Sequence, residues 1–111
     1  MDRKSLKEEY KQRKVVGGIY RVTNTHSGKC LLGYTPDAQA KQNAFNFAVA
    51  SNLFFDQRLR QDWEELGAKA FTFEILETLA KKTDQTQAQF IADLQALEQM
   101  WSDKLDLSNG Y

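Results

Sequence analysis

The sequence is poor in the residue types that announce a mechanism on their own. Cysteine, histidine and proline each occur once, as Cys30, His26 and Pro36. A lone cysteine can form neither an internal disulfide nor a multi-thiolate zinc site, which fits a reducing, cytoplasmic location. Cys30 itself is expected to be a buried strand residue. His26 falls among turn-forming residues and reads as a surface loop side chain. Net charge is absent as well: 15 Lys and Arg stand against 15 Asp and Glu. Nucleic-acid binders usually concentrate positive charge, because displacing counterions from phosphates supplies most of their non-specific affinity. Here only the first 35 residues do so, with eight basic against three acidic side chains, which leaves −5 for the other 76. The whole-chain balance therefore weighs mildly against strong nucleic-acid binding. No run approaches the ~18 apolar residues of a membrane span, so no membrane partner is expected. The stretch Met1 to Glu9 is charged throughout, which argues against a cleaved secretory signal.

What is present suffices for one core. The chain has 111 residues, of which 41% are hydrophobic and 12% aromatic, with no internal repeat and no Pro/Gly/Ser linker. Ser5 and Glu8 match a capping box that opens a basic helical extension over residues 1–16. Val15 to Thr23 is β-branched and aromatic, Asn24 to Lys29 is dense in turn formers, and Cys30 to Thr35 reads as the returning strand of a hairpin. A helix is expected from Asp37 to about Ala50, with Thr35 as its N-cap and Pro36 at its first position. A second helix carries Phe55, Leu59, Trp63 and Leu66 at helical spacing and ends at Gly67. Ala70 to Leu79 alternates, with Phe71, Phe73 and Ile75 on one side. Thr86 with Gln89, or Asp84 with Gln87, starts a last helix whose stripe is Phe90, Leu94, Leu97, Trp101 and Leu105. The expected fold is α/β: a three-stranded antiparallel sheet flanked by helices in the order (α)ββααβα.

Four pieces of this pattern, in order, resemble the GIY-YIG nuclease superfamily. They are Gly18-Ile19-Tyr20, then Leu31-Leu32-Gly33, the helix ending at Gly67 with Phe71-x-Phe73-x-Ile75-Leu76-Glu77 after it, and Glu98-Gln99-Met100-Trp101. The likeness spans about residues 17–107 and leaves 108–111 as a tail. It implies a divalent-metal-dependent cut of a phosphodiester in active members, with DNA as partner and Mg2+ as cofactor. Carried over residue by residue, Tyr20 matches the tyrosine that takes part in activating the nucleophile, and Glu98 matches the metal-holding carboxylate. Leu31 stands at the second tyrosine, Lys41 at the arginine of the first helix, and Phe45 where some members place a histidine. Tyr34 is expected on the strand face opposite to Leu31 and so not to replace it. Arg58 or Arg60 could reach the site from the second helix.

The resemblance thus assigns Tyr20, Lys41 and Glu98 to one shallow groove, made partly apolar by Leu31. A phenol titrating near ~10 is a poor base at neutral pH unless a cation lowers that value. Lysine gives a point charge where a guanidinium grips phosphate with two bonds. The expectation is a domain of this superfamily with a degenerate site, which binds nucleic acid or a protein partner and cleaves weakly or not at all. An active magnesium-dependent endonuclease is the first alternative, and a protein-interaction domain without a nucleic-acid role is the second. Glu98, beside an apolar stripe, needs a partner or a metal; a salt bridge at the stripe's edge, to Lys104 or to a basic residue of a strand, is its non-functional reading.

Overall fold

The computed structural model describes residues 15–51, 53–105 and 110–111. The expected N-terminal helix with its Ser5–Glu8 capping box lies outside the described residues. Three strands, β1 (Val16–Asn24), β2 (Cys30–Thr35) and β3 (Phe71–Ala80), form one sheet in the order β2-β1-β3. β1 pairs antiparallel with both neighbours, placing Tyr20 opposite Gly33 on one side and Ile75 on the other. The helices are α1 (Ala38–Ser51), α2 (Arg60–Leu66) and α3 (Gln87–Lys104), with 3-10 turns at Gln57–Leu59 and Ala68–Ala70. The α/β class, the antiparallel sheet and the element order agree with the sequence reading.

Strand alternation divides the core into two layers. Tyr20, Val22 and Leu31 share a face with Phe71, Phe73 and Ile75, and this face packs on Phe45 and Ala48 of α1 and on Leu59 and Trp63. Aromatic rings fill it: Tyr20 and Phe45 each stack on Phe73, at 5.4 and 5.3 Å, and Trp63 stacks on Phe71 at 4.8 Å. Phe45, where the resemblance puts a histidine in some members, is thus a core residue. The opposite face carries Gly17 and Ile19 and receives α3. A Cβ on Gly17 would lie 2.7 Å from the Phe90 ring and 3.2 Å from Leu94, so α3 sits directly on the backbone of β1.

Several local expectations need correction. Asp37, not Thr35, caps α1, because its carboxylate accepts the Ala40 N–H at 3.0 Å, while the Thr35 hydroxyl exchanges bonds with the Asp37 backbone. Replacing Asp37 by alanine is expected to cost ~1 kcal/mol in urea unfolding, whereas Thr35→Ala should leave the helix start intact. Leu66 leaves the apolar stripe of the second helix and is 41% exposed, because α2 stops at Gly67, whose φ of 85° turns the chain away. Cys30 is half-buried on the edge strand rather than buried. The last helix opens as expected with the Thr86–Gln89 capping box. Its stripe is buried at Phe90 and Leu94 and half-buried from Leu97 onward. Gly110 bridges to Cys30, and Tyr111 donates its N–H to the Cys30 carbonyl at 3.0 Å and its hydroxyl to Asp62 at 2.6 Å. The end of the chain therefore lies along β2.

Candidate active site

The edge of β2 is where the two faces of the sheet meet. Tyr20 starts on the α1 face, 3% exposed, with its ring directed across the neighbouring strand. What lets it cross is Gly33, directly opposite in the register. A Cβ there would lie 2.4 Å from both Cζ and Oη of Tyr20, so only glycine leaves room for the phenol. Glu98 comes from α3, on the other face. Tyr20 and Glu98 line one shallow depression of about 160 Å³ together with Leu32, Gly33, Tyr34 and Arg58.

The electrostatics tie these groups together. Burial pushes the Tyr20 phenol above its ordinary value, and the Arg58 guanidinium, by charge and by a hydrogen bond, opposes that rise. Glu98 is half-buried and its carboxyl is also raised by desolvation, again opposed by Arg58. Arg58 is held by Asp56, whose carboxylate accepts from Nε at 3.1 Å and from Nη2 at 3.0 Å. Asp56 also caps the 3-10 turn by accepting the Arg58 N–H at 2.8 Å. Side-chain hydrogen bonding from Arg58 is the main reason the Asp56 carboxyl titrates below its ordinary value.

Among the sequence-derived site residues, Tyr20 and Glu98 do converge. Lys41 does not line the depression; its Nζ lies over the rings of Tyr20 and Phe55, at 5.4 and 5.1 Å. Leu31 makes no part of the groove apolar. It shares the Tyr20 face as expected but is 1% exposed, inside the core. Tyr34 does face the α3 side, where its hydroxyl accepts from Gln95 at 3.3 Å. The depression straddles the strand edge, so a residue from either face can border it, and Tyr34 does. Of the two arginines left open, Arg58 borders the site. Arg60 pairs instead with Glu64 at 3.2 Å and lies 5.6 Å from the Phe54 ring. Lys104 lies over the Trp101 ring at 5.4 Å, and no described salt bridge joins it to Glu98. The sequence signal for Arg58 was local: Asp56-x-Arg58 is a spacing at which an aspartate can cap a turn and hold the arginine beyond it.

No group of three or more His, Cys, Asp or Glu side chains is placed to hold a metal among the described residues. The described residues therefore offer no all-protein cage. Magnesium, however, commonly takes one or two protein carboxylates and keeps several waters. Glu98 is a hard oxygen donor, partly desolvated, at the wall of an open depression. It fits a site of that water-rich kind.

No family model and no curated protein matches the sequence. Solved structures do. The catalytic domain of the homing endonuclease I-TevI is similar to this chain with a TM-score of 0.59 and 22% identity, over 86% of this chain and 95% of that one. An alanine mutant of the same intron-endonuclease domain gives 0.59 and 21%, over 86% and 91%. The fold is therefore GIY-YIG-like: a three-stranded antiparallel sheet with helices, built as in that catalytic domain.

Proposed function

We propose that this domain binds nucleic acid at the β2-edge depression and hydrolyses phosphodiester bonds slowly in the presence of magnesium. The observation that carries the reading is the convergence of Tyr20, Arg58 and Glu98 on one depression, which supplies a guanidinium where the motif itself has lost one. A phosphate seated there would meet the N–H groups of Arg58 that its protein partners leave over. Two of its five donors go to Asp56 and the guanidinium also bonds the Tyr20 phenol, so the remaining donors are what a phosphate oxygen would accept from. Tyr20 would take the proton of the attacking water or orient that water. Glu98 would hold the magnesium, whose chemistry when bound is neutralisation of charge on the phosphate oxygens. The fold alone does not carry this reading, since one scaffold hosts many functions.

Slowness follows from the phenol. Because burial holds Tyr20 above its ordinary value, little phenolate exists at neutral pH. Nicking of a supercoiled plasmid with magnesium is expected to be slow at neutral pH and to climb through the alkaline range. Tyr20→Phe should remove that climb. A wild-type protein that leaves the plasmid intact at every pH, with magnesium or manganese, would sink the cleavage reading.

A further inference from the structure

Ordering a guanidinium on its long stem costs rotamer entropy, which a phosphate contact must recover unless something else holds the side chain. The Arg58 side chain is 53% exposed and would wander if nothing held it. Asp56, 19% exposed, holds it with two bonds, from Nε and Nη2, and accepts the Arg58 backbone N–H as well. The Nε and Nη2 bonds go to separate carboxylate oxygens, so the guanidinium plane is fixed as well as its position. This pairing has a cost in charge. A guanidinium clamped by a carboxylate contributes directed donors and no net charge. Lys41 restores the charge: its ammonium lies over the ring of Phe55, the residue next to Asp56, and over the ring of Tyr20 itself. It also acts electrostatically on Asp56.

We infer that Asp56 is the positioning residue for the cation of this site, clamping Arg58 while Lys41 offsets its charge, so that the three side chains work as one unit of net charge +1. The inference rests on the depression being a phosphodiester site and states what sets its charge and geometry. It gives Lys41 a role that needs no contact with the phosphate.

The variant that separates positioning from folding is Asp56→Asn. Its amide oxygen can still accept the Arg58 N–H, so the cap survives, while the ion pair and one negative charge are lost. Metal-free binding of a short DNA duplex is expected to tighten several-fold, because a negative charge beside the phosphate is gone. Cleavage turnover should fall by up to ~100-fold, because the guanidinium is no longer placed. A merely structural role would move both in the same direction, together with Tm. In an Arg58→Ala background Asp56→Asn should cause no further loss of turnover, since Asp56 acts through Arg58. A loss of equal size in both backgrounds, or weaker DNA binding in Asp56→Asn, overturns the proposal. An arm independent of activity is the NMR resonance of the Arg58 Nε–H. That resonance should be resolved in the wild type and broadened by exchange in Asp56→Asn. If the wild type fails to cleave but the resonance behaves so, the clamp stands and the nuclease reading falls. If the resonance is identical in the two proteins, the clamp is wrong.

Discussion

Arg58→Ala is expected to lower the nicking rate by ~100- to 1,000-fold, the loss typical of removing one preorganised donor that meets charge developing in a transition state. The fold should hardly notice. Arg58 is exposed, the Asp56 cap uses its backbone N–H, and an exposed ion pair contributes only ~0–1 kcal/mol. Arg58→Lys should recover part of the rate and not the whole, because an ammonium brings charge without the planar fork. The measurement is a single-turnover plasmid-nicking rate with magnesium, beside a thermal melt that keeps stability in view. Were Arg58→Ala to nick like the wild type while Lys41→Ala did not, the original assignment of Lys41 as the phosphate-facing cation would be right. The Asp56–Arg58 pair would then be only a turn-capping device.

The fold was legible because its signals are local and repeat. Alternation in β3, the turn formers at Asn24 to Lys29 and the capping box at Thr86 each follow from backbone geometry that a few neighbouring residues decide. The site was legible only where motif spacing coincides with a strand or a helix: Tyr20 opposite Gly33, and Glu98 on the rim of the α3 stripe. Strand alternation places Leu31 and Tyr34 on opposite faces, as in the structure. It does not reveal that Leu31 lies inside the core, 1% exposed. Nor does it reveal that the depression sits at the edge of β2, where Tyr34 can border it from the other face, because edge position depends on strand order rather than on pattern. Lys41 stands apart from the depression for a different reason. Its position matches the family's arginine in sequence, but the Tyr20 and Phe55 rings offer its ammonium a cation–π seat that keeps it away from the depression. Arg58 has no spacing relation to the motif, because the segment that delivers it is seated by Phe55, whose ring meets Tyr20, Phe45 and Phe73 from elsewhere in the chain.

Gly33→Ala is the substitution expected to damage fold and site together. A methyl at this position would sit 2.4 Å from Tyr20 Cζ and Oη and 2.9 Å from Cε1, closer than real Cβ contacts allow. The ring has little freedom to retreat. It stacks on Phe73 at 5.4 Å, meets Phe55 edge-on at 6.3 Å and carries the Lys41 ammonium on its face. Overpacking of this kind costs about 1–3 kcal/mol, a sizeable share of the ~5–15 kcal/mol that holds a domain folded. The chemical effect should exceed the structural one. If the phenol swings back from the β2 edge, it leaves the depression and with it the neighbourhood of Arg58 and Glu98. Nicking assayed well below the melting transition is therefore expected to be lost by a larger factor than the stability change implies. A Tyr20→Leu background supplies the control: with no phenol to collide with, the extra methyl should cost much less, giving a clear non-additivity between the two sites. A Gly33→Ala protein as stable and as active as the wild type would mean that the Tyr20 phenol does not cross the strand at Gly33. The convergence on which the site is built would then be lost.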